Sequence, residues 1–146
     1  KLSYWSIGVD TGWAQRLGLQ HAFHSFADAE ALSAALCAML SSQRQDTYLS
    51  IDKDVFAAEV VRTNWDQGVL AERHVMRAIA ALRGQLVGSD ITGDVSVYRH
   101  PVWWKRLLSA GDEQTLEIAD TTLAAWQDAQ RALNGRLLDA LAAAGG

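Results

Sequence analysis

The stretch Thr47-Tyr48-Leu49-Ser50-Ile51-Asp52-Lys53-Asp54 runs from β-branched and aromatic residues straight into two aspartates. A short strand carrying acids at its C-terminal end has that signature. Asp52 and Asp54 are two apart, so on a continuing strand both carboxylates point one way and Lys53 the other. Like charges so placed repel. A shared proton, full solvation or a cation relieves them, and a hard divalent metal is the usual solution at a strand end inside a cleft. The spacing alone fits a pair of solvated loop acids as well.

Moving outward, Leu2 to Gly8 is a short aromatic and aliphatic run ending on glycine, which reads as a strand, and Asp10-Thr11-Gly12 marks a loop. From Ser25 onward, Phe26, Ala29, Leu32, Leu36, Met39 and Leu40 recur at helical spacing. Ser25 or Asp28 is placed to cap that helix, and Ser41-Ser42 closes it. After a loop through Gly68, Leu70, His74, Ile79 and Leu82 share a helical face, with Val75 and Ala78 beside them, until Gly84 stops the pattern. Leu86 to Ile91 is a third strand leading to Asp90. A long helical pattern from Glu113 to Leu141 follows His100-Pro101. It carries Leu116, Ala119, Leu123 and Trp126 on one side, with a break expected at Asn134-Gly135. Asp112-Glu113 suits the positive end of that helix's dipole.

Strand and helix alternate, as in parallel βαβ units, which predicts an α/β fold: three layers, α/β/α, around a mainly parallel sheet. Functional residues gather at the C-terminal ends of such strands. No repeat or linker divides residues 1–146, so one domain is expected. Three strands make a narrow sheet, and the chain opens at Lys1 almost directly on a strand. The missing neighbours are therefore expected upstream or in a partner.

The net charge of −4, from 17 acidic and 13 basic residues, provides no broad positive field, which argues against nucleic acid as a partner. The single cysteine, Cys37, excludes an internal disulfide and a cysteine-based zinc site, and reads as a small apolar packing residue. No run approaches the roughly 20 apolar residues of a membrane helix, so no membrane association is expected and the cytoplasm is the expected compartment. His21, His24, His74 and His100 form no H-x-x-x-H pair and read as structural or surface residues. Trp103-Trp104 before Lys105-Arg106 reads as a packing or subunit-contact element.

The segment Tyr48 to Phe56 resembles the S-x-D-x-D strand-end motif of the arginase and agmatinase (ureohydrolase) family. The resemblance extends along most of the chain. Tyr4 to Gly8 is similar to the preceding family strand that ends in I-G, and Thr63-Asn64-Trp65-Asp66-Gln67-Gly68-Val69-Leu70 stands in the place of the family's G-T-P-x-x-G-G-L loop. Leu86 to Ile91 stands where the family has a strand reading roughly g-x-D-V-V-E. The resemblance implies the C-terminal half of an arginase-like fold and a binuclear manganese site. In it Asp52 would bridge both Mn2+ ions and Asp54 would bind one. Thr63 would line the substrate pocket. The family glutamate that holds a guanidinium group falls near Gly93, which makes Asp94, one position later, the candidate substrate acid.

The family's other metal ligands lie in G-G-D-H and D-A-H-x-D segments, which these 146 residues do not contain. Two carboxylates cannot satisfy two divalent ions, so this chain by itself is expected to bind metal weakly and to be inactive. The implied activity, hydrolysis of C–N bonds in amidino, guanidino or related amide compounds, belongs to the complete protein, and no catalytic side chain is assigned. Its partners would be a small-molecule substrate and further copies of itself, since family members often form trimers or hexamers. Two alternatives remain open. One is a non-catalytic binding or assembly module of the same fold. The other is a single-metal deacetylase-like amidohydrolase, in which Gly88-Ser89-Asp90 and Gly93-Asp94 resemble G-A-D-x-x-x-G-D and Asp90 would bind zinc.

Overall fold

The computed structural model describes residues 3–95, 103 and 118–146. Within them the order is β1 (Tyr4–Ile7), α1 (Gly12–Arg16), β2 (Phe23–Phe26), α2 (Ala29–Ser42), β3 (Thr47–Asp52), a single 3-10 turn (Lys53–Val55), α3 (Glu72–Ala81), β4 (Leu86–Thr92) and α4 (Asp120–Gly145). The class is mixed α/β, and every strand pairing is parallel.

The four described strands form two separate pairs, β1–β2 and β3–β4, rather than one sheet. β3 aligns Ser50 with Asp90, Ile51 with Ile91 and Asp52 with Thr92. Alternation along β3 turns Ile51 inward and leaves Tyr48, Ser50 and Asp52 exposed. Ile51 meets Phe56, Val61, Val75, Ile79, Leu133, Leu137, Leu141 and Ala144 in one core cluster. The apolar stripe of α4 that builds this core is Leu133, Leu137 and Leu141, a repeat of four that keeps one helix face on the strands.

Three expectations are corrected. Ser25 and Phe26 lie in a strand, not in a first helical turn, because Phe23–Phe26 pairs with Tyr4–Ile7. That helix begins at Ala29, where the Asp28 side chain accepts the N–H of Ala31 at 2.8 Å. Gly12 starts the short α1 rather than continuing a loop. Asn134-Gly135 does not interrupt α4, since buried Leu133 and Leu137 on either side hold the helix against the core. As expected, Gly84 ends the α3 region; its φ of 74° is one that glycine adopts without steric cost. The expectations for His100, Pro101, Trp104, Lys105, Arg106, Asp112, Glu113 and Leu116 fall outside the described residues. Trp103 is exposed.

β1 and β3 border two adjoining cavities. Tyr4, Trp5, Ser6 and Ile7, consecutive in β1, line a space of about 550 Å³. Leu49 to Asp52, consecutive in β3, line another of about 130 Å³. Leu32, Leu36, Val55 and Leu70 line both. Consecutive strand residues can line one cavity only along the strand's edge, because their side chains alternate between faces.

Candidate functional site

The C-terminal end of β3 is shaped by Lys53. Its side chain is 0% exposed, two residues beyond buried Ile51 on the inward side. A buried ammonium needs partners. Nζ pairs with Asp94 Oδ1, and it also donates to Asn134 Oδ1 on α4 at 3.2 Å. Turning Lys53 inward leaves Asp52 exposed before it.

The strand does not continue through Asp54, as the spacing alone suggests. It stops at Asp52 and tightens into the 3-10 turn, where Asp52 Oδ1 accepts the Asp54 N–H at 3.2 Å. Both acids therefore belong to one turn, linked side chain to backbone. Asp54 Oδ1 is buried and, among the described residues, has no hydrogen-bond partner. An ionised carboxylate is an acceptor only, so such an oxygen calls for a donor or a cation.

Two glycines permit this packing. A Cβ on Gly93, whose φ is +80°, would lie 2.5 Å from Asp52 Oδ1 and 2.9 Å from the Lys53 N. One on Gly68 would lie 2.5 Å from the Val55 carbonyl oxygen. The loop that carries Gly68 is laced to the turn: Gly68 N donates to Asp54 O at 2.6 Å, and Leu70 N to Val55 O at 3.0 Å.

Thr63, the expected pocket residue, is buried, and its Oγ1 lies 3.4 Å from both the N and the O of Trp65. Its hydroxyl is thus engaged in a local turn. Asp94, the expected substrate acid, is the ion partner of Lys53, but its side chain is 66% exposed. Asp90 accepts from Ser50 Oγ at 3.0 Å. Its hydrogen bond with the Tyr48 phenol pushes that hydroxyl's pKa above the ordinary tyrosine value.

Several residues at this edge carry no signal in the strand motif. Gln130 Oε1 accepts the Val95 N–H at 2.8 Å, while its Nε2 donates to Arg62 O at 2.8 Å and Gly93 O at 3.3 Å. Gln130 thus ties the loops after β3 and β4 to α4. Asn134 lies one helical turn on, toward Lys53. The spacing of Gln130 and Asn134, four apart beside Leu133 and Leu137, is the one pattern that could have marked them.

His74 serves structure. Its Nδ1 accepts the N–H of Ala71 at 3.1 Å, so the ring hydrogen lies on Nε2, 3.2 Å from Glu30 Oε2. Arg77 first, and then His74, hold the Glu30 carboxyl below the ordinary glutamate pKa.

Among the described residues no group of three or more His, Cys, Asp or Glu side chains is gathered to hold a metal ion. Asp52 and Asp54 fit a metal as a partial donor set: two hard carboxylates on one turn, one with a buried, unpartnered oxygen. No protein-family model matches the chain, and no curated protein or solved structure matches it.

Proposed function

We propose that this chain carries half of the metal site of a binuclear manganese hydrolase of the arginase type, acting on C–N bonds of amidino, guanidino or related amide compounds. The observation that carries the reading is the buried Oδ1 of Asp54, unpartnered among the described residues, beside Asp52 in a strand-end S-x-D-x-D segment. Asp52 and Asp54 would hold the ions, with the remaining ligands supplied by residues outside the described ones. When bound, two Mn2+ ions would supply Lewis-acid activation of water and of the scissile carbon.

The chain's own residues do the positioning. The 3-10 turn holds both aspartates, and the Gly68 loop packs against its backbone. Asp94 and Thr63 are the proposed substrate contacts. Lys53 already neutralises one oxygen of Asp94, which weakens its hold on amidinium and guanidinium cations alike and favours a neutral amide.

The fold belonging to this reading is three-layer α/β/α, with this chain as its C-terminal half. In support, the edges of β1 and β3 line adjoining cavities that share Leu32, Leu36, Val55 and Leu70. A homo-oligomer in the cytoplasm is part of the proposal. No helix among the described residues is long and apolar enough to cross a membrane.

The non-catalytic module of the same fold is the second reading, favoured by the engagement of Asp94 with Lys53. The deacetylase-like alternative would need Asp90 as a zinc ligand, and that carboxylate is engaged by Ser50 and Tyr48. The test is hydrolysis of a panel of guanidino, amidino and acyl-amide compounds by the complete gene product, before and after chelation and Mn2+ replenishment. Mn2+-dependent turnover is expected, fastest with a neutral amide. Metal binding without turnover of any class would favour the module, and acyl-amide turnover lost in Asp90→Ala would favour the deacetylase.

A further inference from the structure

We infer that Lys53 is a positioning residue for the Asp52–Asp54 pair, acting through its anchor on Asn134. This inference rests on the metal-site reading above. The residue between the two acids is the only one of the three whose side chain is fully buried.

Its Nζ is fastened at two points from separate parts of the chain: Asp94, after β4, and Asn134, in the middle of α4. α4 is itself fixed to the core by Leu133 and Leu137. The anchored side chain therefore sets where the backbone leaves β3. That backbone carries Asp52 on one side and Asp54 on the other. Two further contacts close the arrangement. The Lys53 carbonyl accepts the N–H of Phe56 at 3.2 Å, which shapes the 3-10 turn, and Gly93 leaves no room for a Cβ beside Lys53 N and Asp52 Oδ1. Partners that hydrogen-bond directly to metal ligands typically change metal affinity by about 10- to 100-fold when removed, and Lys53, which acts through the backbone, is expected at the lower end of that range.

Charge and positioning predict opposite signs, which makes the inference testable. Replacing a cation beside two carboxylates would, by charge alone, strengthen the binding of Mn2+. Loss of an anchor would weaken it. The experiment is a titration of the isotopically labelled chain with MnCl2, following paramagnetic broadening of backbone amide signals, with Lys53→Met, Asn134→Ala and Asp54→Asn as variants.

In the unsubstituted chain broadening should begin at residues 52–55 and at Gly93, and Asp54→Asn should abolish that focus. Lys53→Met should require about tenfold more Mn2+ for the same broadening. Asn134→Ala, which leaves the net charge unaltered and removes no core side chain, should shift the midpoint in the same direction, and it decides the matter if Lys53→Met does not fold. An unchanged or lower midpoint in the folded variants overturns the role of Lys53 alone. Absence of a focus at residues 52–55 in the unsubstituted chain overturns the metal-site reading, and this inference with it.

Discussion

At the scale of single residues, the site depends on two close approaches that only glycine permits. Gly93→Ala would put a methyl group 2.5 Å from Asp52 Oδ1 at a backbone angle disfavoured for alanine. We expect it to cost about 1–3 kcal/mol in urea denaturation. Gly68→Ala meets the Val55 carbonyl oxygen instead, which as backbone cannot swing aside, and its expected cost lies in the same range of about 1–3 kcal/mol. A cost below that of an ordinary surface substitution at either position would contradict the packing described. The pair Asp52 and Asp54, and the placing of Lys53 on the side opposite Asp52, are legible in the sequence from strand alternation; the burial of Lys53 is not. What Lys53 meets there is not legible. Asn134 and Asp94 lie 81 and 41 residues away, and no local pattern records a pairing at such distances.

At the scale of elements, ion pairs centred on Glu30 and Glu72 join the helices. Glu30 on α2 meets Arg77 and His74 on α3, and Glu72 on α3 meets Arg136 on α4 at 2.7 and 2.8 Å in a two-pronged contact. Arg136 holds the Glu72 carboxyl below the ordinary glutamate pKa, and Arg77 does the same for Glu30. A folded-state pKa depressed below its unfolded value stabilises the fold above the unfolded pKa, and that stabilisation is lost as pH falls through the folded one. Glu72→Gln should therefore cost about 0.5–1 kcal/mol at neutral pH, the upper part of the range for partly exposed pairs. The difference from the unsubstituted chain should shrink to nothing in acid. A cost that persists below the glutamate range would show that shape, not charge, carries the contact. Element boundaries were legible where a chemical stop stands in the chain, as at Asp28 and Gly84. They were not legible at Phe23–Phe26, whose strand state depends on pairing with Tyr4–Ile7 rather than on its own alternation. Asn134-Gly135 misled for the same reason: helix propensity there is weak, but tertiary burial of Leu133 and Leu137 outweighs it.

At the scale of the whole molecule, stability is unevenly spread. The core cluster unites β3, the turn after it, α3 and α4, whereas β1, α1 and β2 contribute to burial mainly through Ala14 and Ser6. The β1–β2 pair is held by aromatic contacts, Tyr4 with Phe23 and Trp5 with Phe26, of which Tyr4 remains half exposed. Segments with few buried contacts open first. Amide hydrogen exchange should therefore be fast at Trp5 and Ile7 and slow at Ile51 and from Leu133 to Leu141; equal protection would contradict the division. The parallel α/β class was legible from the alternation of strands and helices, while the split into two pairs was not, because no local pattern in β1 or β3 records which strand edges pair. The central claim, that Asp52 and Asp54 hold catalytic metal in the complete protein, is tested most directly by metal analysis of the full gene product beside its Asp52→Asn/Asp54→Asn variant. Two manganese ions per chain in the first and a loss of most of that metal in a folded second is the predicted result, and equal metal content in both would contradict it.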